Sequence, residues 1–435
     1  MSIEEEVCIA IAGNADSGKS SFIGVMVYNE LDDGNGLARS KVCKHPHELS
    51  SGRTSDITIK TLKVSETKEI VFADLPGHQP YLKTALYGIT GYYPDYGIVI
   101  IAANRGILPM TQEHLRIFLH LKIPFIVVIT RSDNAPVHIY KETVKSLQSG
   151  FKKINKKLVS INSLGENETQ ESSDLSNEII QSFTCNPDLI PLITVSNKTG
   201  YFINTARSMI KNLKSRKEWY SDSEAIFYID SKFNPKGIGL VISGICKGRP
   251  IKVGDKMYIG PYNNDFVLVK VWSIHDNNKN IISSLMNGTH GCLAIHIIDK
   301  KTDFNKNKIR KGMILYTKKI YENICYRFDA RIKVLNHATT ISDNYSPVVH
   351  CGTVRQTARI CIDKDKHLRI GDEDIVQFRF IFRSEFIEPN STLFFREGTT
   401  RGIGTVLKVL SVREDNDAAP VIKKKSNNNR NEIKK

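Results

Sequence analysis

The sequence contains no apolar run that reaches the roughly 18–20 residues a membrane-crossing helix requires, so a helical membrane protein is not expected. Its eight cysteines (Cys8, Cys43, Cys185, Cys246, Cys292, Cys325, Cys351 and Cys361) include no C-x-x-C pair. A zinc site needs clustered thiolates and a disulfide scaffold is short and dense, so neither is expected. Reduced, mostly buried thiols in a reducing compartment fit the scatter. The opening residues, Met-Ser-Ile-Glu-Glu-Glu, are acidic where a secretory signal would be basic and then apolar. A cytoplasmic protein with no membrane partner is the expectation.

The chain is long and basic. Its 435 residues exceed what one hydrophobic core usually organises, which predicts two or three domains. Part of the formal net charge of +15 lies in the last residues, 423–435, where Lys423, Lys424, Lys425, Arg430, Lys434 and Lys435 face one acid, Glu432. A polar Asn- and Lys-rich run with so few apolar residues predicts a basic, disordered segment over 414–435. The remaining excess is spread over the body. It suits an RNA or ribosome partner, and it equally suits solubility.

Short apolar runs without polar alternation recur at 7–12, 69–73, 96–102, 124–129 and 189–195, separated in the later part by helix-like stretches at 111–121, 140–158 and 202–213. Such alternation predicts an α/β domain over 1–217, with a mostly parallel sheet and helices on both faces. The polar stretch Ser160–Asp174 reads as a surface insertion. After about residue 217 the texture changes to β-branched runs punctuated by turn signals such as Pro235-Lys-Gly237, Val253-Gly-Asp255, Gly260-Pro261 and Asn287-Gly288. Two β-barrels follow from this, at 218–319 and 320–413, the latter with clear alternation at 375–382.

The chemistry sits in the first domain. Gly13-Asn14-Ala15-Asp16-Ser17-Gly18-Lys19-Ser20 matches G-x-x-x-x-G-K-[ST], between a predicted strand and a helix that begins near Ser21. In that pattern successive amide N–H groups point at phosphates, Lys19 meets the β- and γ-phosphates, and the Ser20 hydroxyl can ligate Mg²⁺. Asp74-Leu-Pro-Gly77-His78 ends the next long strand. Its aspartate can hold the metal through water and the Gly77 amide can approach a γ-phosphate. His78 is placed to orient an attacking water. Thr54, in the polar loop between these motifs, can complete the Mg²⁺ shell. Thr130-Arg131-Ser132-Asp133 ends the fourth strand, where the Asp133 carboxylate can accept from guanine N1–H and N2–H₂ while Arg131 covers the base. The tighter N-K-x-D form keeps only the aspartate here. Ser196-Asn197-Lys198, after the fifth strand, is the companion loop facing the base carbonyl. The expected ligands are GTP or GDP with Mg²⁺, and the expected activity is GTP hydrolysis.

These motifs followed by two barrels resemble the translational GTPases, the superfamily of elongation factor Tu and elongation factor 1-alpha, with the nearest likeness to the GTP-binding protein 1/2 family. The likeness rests on 47–55, 74–82, 113–115, 337–340, 352–358 and Phe394-Phe-Arg-Glu-Gly-Thr-Thr-Arg-Gly-Ile-Gly404. It implies a GTP-switched protein that escorts tRNA or a tRNA-like factor to the ribosome; a monomer is the default expectation, and a guanine-nucleotide exchange factor is a further expected partner. An RNA-associated switch in mRNA turnover or ribosome surveillance is the alternative. The likeness also implies a monovalent cation near Asp16. Two departures bear on hydrolysis: Arg53 stands where elongation factor Tu has an apolar residue shielding the histidine, and Ala15 is small on the other side of that gate.

Overall fold

The computed structural model describes residues 3–43, 48, 54–217, 223–235, 239–299, 304–305, 307–363, 365–398 and 400–415. Arg53, Pro235-Lys-Gly237 in part, and nearly all of the basic tail lie outside these residues. The architecture is an α/β domain followed by two antiparallel β-barrels.

The α/β domain is built on a seven-stranded sheet with strands β1 (Glu5–Gly13), β2 (Thr58–Lys63), β3 (Lys68–Asp74), β4 (Tyr96–Ala102), β5 (Phe125–Thr130), β6 (Lys157–Ser160) and β7 (Leu189–Thr194) in the order β2-β3-β1-β4-β5-β7-β6. All pairings are parallel except β2–β3. The central strands β4 and β5 are buried at every residue, because helices cover both faces. Those helices are α1 (Lys19–Tyr28), α2 (Leu37–Ser40), α3 (Leu82–Gly91), α4 (Pro109–His120), α5 (Val137–Lys152), α6 (Gln170–Cys185) and α7 (Ile203–Lys211). One core face joins Ile9 and Ile11 of β1, Phe22 and Met26 of α1, Ile98 and Ile100 of β4, and Phe183, Met209 and Ile210 from the last helices.

The order reverses at β1, whose neighbours are β3 and β4. That reversal opens a crevice at the carboxyl end of β1, where α/β sheets receive ligands.

Three local readings differ from expectation. The antiparallel edge strand β2 has a mixed, half-exposed pattern and gave no apolar run. The helix expected over 140–158 stops at Lys152, and Lys157–Ser160 adds an edge strand instead. The stretch read as an insertion, 160–174, runs into α6, which starts at Gln170. Thr169 caps α6: its hydroxyl accepts from the Ser172 amide at 3.2 Å and the Ser172 hydroxyl accepts from the Thr169 amide at 2.9 Å.

The described residues form two compact units, those within 3–255 and 271–296, and those within 256–270 and 297–415. The division falls inside 218–319, not at its ends. In the first unit, strands Ile226–Phe233 and Val241–Lys247 pair antiparallel. A buried polar group lies at the base of the α/β sheet there: Glu6 accepts from the His290 amide at 2.8 Å, and Lys217 Nζ lies 3.5 Å from both Glu6 and Asp95. In the second unit, Lys256–Lys270 forms a hairpin whose turn falls at Asn263-Asn264, both at positive φ. Gly260-Pro261, read as a turn, instead lies within a strand, where the register shifts between Ile259 and Tyr262.

The last barrel closes through pairing of Ile324–Asn336 with both Glu373–Phe380 and Thr400–Ser411. Inward residues alternate with outward ones, and Phe328, Phe378, Phe380 and Phe395 fill its interior. Phe328 stacks on Phe378 at 5.3 Å between ring centroids.

Candidate functional site

The loop between β1 and α1 turns at Gly18, whose φ of 87° is a left-handed conformation that glycine adopts without strain. This turn sends the chain into α1 with Lys19 and Ser20 in its first turn, both buried. Lys19 Nζ donates to the Asn14 carbonyl at 2.8 Å. Burial pulls the Lys19 pKa down, against the opposing charges of Asp74 and Asp16.

Ser20 Oγ donates to Asp74 Oδ2 at 2.6 Å, and Thr54 Oγ1 lies 3.3 Å from Ser20 Oγ and 3.5 Å from Asp74 Oδ2. Three separate segments thus bring hard oxygen donors to one point. Asp74 Oδ1 is buried with no hydrogen-bond partner among the described residues. Burial pushes the Asp74 carboxyl up to about 6, although Lys19 and Ser20 act to lower it. A buried carboxylate with a spare oxygen beside two hydroxyls fits a Mg²⁺ site, where a divalent cation would restore the charged form.

The turn after β3 lies directly over the phosphate loop. The Ala15 amide donates to the Gly77 carbonyl at 3.1 Å. A Cβ at Gly77 would lie 2.5 Å from Lys19 Nζ and 2.6 Å from the Gly13 carbonyl oxygen, so no side chain fits there. His78 follows in extended conformation, 6.4 Å from the Tyr81 ring. Ala15, Asp16, Gly18, Lys19, Ser20, Ser21, Thr54, Gly77, His78 and Arg131 line one open cleft of about 490 Å³. Asp16 sits at its rim with Arg105 4.0 Å away, a positive group where the resemblance implies a monovalent cation.

At the far end, Thr130 Oγ1 donates to the Ser17 carbonyl at 2.7 Å. Asp133 lies in a tight turn after Arg131, and its Oδ1 accepts from Ser196 Oγ at 2.5 Å. Ser196 Oγ also accepts from the Lys198 and Thr199 amides, which folds the loop around Asn197, and a Cβ at Gly18 would lie 3.6 Å from Asn197 Nδ2. Two contributors were not anticipated. His114 of α4 is fully buried and accepts from the Gly13 amide at Nδ1, 3.2 Å away. Burial, then the charge of Lys19, holds its pKa at about 3, so it stays neutral. Arg39 of α2 lines the cleft. Arg39 belongs to no motif; His114 falls within 113–115, one of the stretches that carry the family resemblance, but nothing in that stretch assigns it a contact with the phosphate loop.

A phosphate loop, a D-x-x-G turn and a base loop on this sheet, with two barrels behind them, define a P-loop GTPase of the translation-factor class. The family described as the Elongation factor Tu GTP binding domain matches residues 4–216. GTP-binding protein 1 of Xenopus laevis is 34% identical over 430 residues, covering 93% of this chain and 64% of that protein. GTP-binding protein 2 of Homo sapiens is 32% identical over 432 residues, covering 93% of this chain and 69% of that protein. The chain belongs to the GTP-binding protein 1/2 family, and it spans about two thirds of the length of these relatives. Among solved structures, translation elongation factor SelB of Methanococcus maripaludis, in complex with the GTP analogue GppNHp, shares the fold. Its TM-score is 0.67 at 20% identity, covering 95% of this chain and 81% of that one.

Proposed function

We infer that this chain hydrolyses GTP to GDP and phosphate as a Mg²⁺-dependent switch in translation, escorting tRNA or a tRNA-like factor to the ribosome. The observation that carries the reading is the meeting of Ser20, Thr54 and Asp74 oxygens beside Lys19. In this reading Lys19 and the amides of 13–21 hold the phosphates. Ser20, Thr54 and Asp74 hold Mg²⁺, which supplies positive charge to the β- and γ-oxygens. The Gly77 amide senses the γ-phosphate and His78 orients the water. Asp133 accepts from guanine, Arg131 covers the base, and Thr130, Ser196, Asn197 and Lys198 shape its pocket. Asp16 is the site of any monovalent cation.

The sensing turn has a mechanical outlet. It leads directly into α3, where Tyr87 OH donates to the Asp230 carbonyl at 2.9 Å, on the strand Ile226–Phe233. Movement of Gly77 on phosphate loss would pull on that bond. The family's elongation-factor description and the net charge of +15 support a ribosome and RNA partner. The functional division proposed is 1–217 for nucleotide, 218–319 and 320–413 for the barrels, and 414–435 for a basic tail. A cytoplasmic monomer served by an exchange factor completes the reading.

Single-turnover GTP hydrolysis with and without purified ribosomes tests it. Strong acceleration supports ribosome-linked delivery. Tight GTP binding without acceleration favours the RNA-associated switch in mRNA turnover or surveillance.

A further inference from the structure

Arg39 lies outside every motif, yet it lines the cleft with Lys19, Ser20, Thr54 and His78. Its backbone is pinned on both sides. Asp33 Oδ1 accepts from the Asn35 and Leu37 amides at 2.8 and 3.1 Å, and Asp32 Oδ1 accepts from the Ala38 amide at 2.9 Å. The Asp32 amide in turn donates to the Asn197 carbonyl at 2.8 Å, so α2 is tied to the base loop. Ala38, the residue before, is packed into the core beside Phe22 and Met26 of α1. Beyond the helix, the Arg39 carbonyl accepts from the Val42 and Cys43 amides at 2.9 and 3.1 Å. The side chain therefore leaves a fixed platform.

The half-buried guanidinium carries a buried nitrogen without a partner among the described residues. Arg39 Nε is buried and has no hydrogen-bond partner among the described residues, and no described carboxylate stands within ion-pair distance of the group. Burying a donor without an acceptor costs roughly 1–3 kcal/mol, and more for a charged group. A buried guanidinium N–H at a cleft, with no acceptor among the described residues, fits an acceptor brought by a ligand. The acceptor chemistry follows from the site. The triphosphate of a bound nucleotide carries more negative charge than one Mg²⁺ and Lys19 neutralise, and a guanidinium matches phosphate oxygens with two parallel N–H donors.

We propose that Arg39 is a phosphate-binding cation supplied in cis by the segment after α1, contacting the phosphate chain of the bound guanine nucleotide. The proposal rests on the cleft being the GTP site. It adds a second fixed cation to that site, from a segment whose Asp32 also bonds the base loop.

The test is titration of the full chain with fluorescent mant-GTP and mant-GDP, for the native protein and for Arg39→Ala, Arg39→Lys and Arg39→Gln. Losing a charged hydrogen bond to phosphate is expected to weaken binding about tenfold or more in Arg39→Ala. Arg39→Lys recovers part of the loss and binds more tightly than Arg39→Gln. The melting temperature without nucleotide stays level or rises in Arg39→Ala, while the increase on adding GTP shrinks. If Arg39→Ala does not fold, the Lys and Gln variants decide: equal binding by these two overturns the proposal. Native-like affinity in Arg39→Ala also overturns it. Failure of the native chain to bind either nucleotide would instead remove the GTP reading itself.

Discussion

The Thr130 hydroxyl donates to the Ser17 carbonyl at 2.7 Å, tying the end of β5 to the phosphate loop. Thr130 occupies the place of asparagine in the tighter base-recognition motif, and its short side chain still reaches the loop. Thr130→Val keeps the shape and removes the donor, leaving a buried carbonyl unpaired. Nucleotide affinity should fall by roughly 1–2 kcal/mol, or about five- to thirtyfold. Titration with mant-GDP checks this, and unchanged affinity would mean the loop is held without Thr130.

Asp133 accepts from Ser196 at 2.5 Å, which fixes the carboxylate that the proposed reading assigns to the guanine base. Asp133→Asn replaces one acceptor oxygen with a donor. It should move preference from GTP towards XTP, whose base offers a carbonyl where guanine offers an amine. Competition of the two nucleotides against mant-GTP measures the shift, and retained GTP selectivity would take Asp133 out of the base pocket.

Glu69 gives the first unit a pH dependence. Asn277 and Asn278 donate to its carboxylate, but burial, reinforced by the negative charge of Glu6, pushes its pKa from 4.5 to about 7. The folded state therefore binds this proton more tightly than the unfolded chain does. Its stabilising contribution is complete below about 4.5 and is lost as pH rises through 7. Glu6 behaves oppositely. Burial alone would raise its pKa, but His290 and Lys217 overcome that and hold it at about 2, so its contribution is complete above about 4.5 and is lost as pH falls through 2. Thermal melts of the native chain and Glu69→Gln between pH 5 and 8 should diverge as pH rises, with the variant the more stable at pH 8. Parallel curves would show that Glu69 does not titrate in this window.

The phosphate loop and the D-x-x-G turn were legible in the sequence because their geometry is made by backbone. Gly18 and Gly77 are dictated by a left-handed turn and by a close approach, and both leave a mark at fixed spacing. The central strands were legible because burial on both faces leaves unbroken apolar runs. Edge strands leave none: Lys157–Ser160 is half exposed and follows a helix with no intervening glycine or proline, so it read as more helix. His114 and Arg39 were hidden for another reason. Each is a single side chain delivered by tertiary packing, from an amphipathic helix and a four-residue helix; 113–115 carries part of the family resemblance, yet no spacing rule gives His114 or Arg39 a role at the cleft.

The measurement that tests the central claim most directly is single-turnover release of phosphate from γ-labelled GTP, with Mg²⁺, by the native chain and by His78→Ala. His78 lines the cleft beside Gly77 and Lys19 without contributing to the Ser20–Asp74 cluster, so its loss should leave GTP affinity within about twofold. The account predicts phosphate release that slows on the order of 100-fold or more in the variant. Equal release by both proteins, or none from the native chain with or without ribosomes, would contradict it.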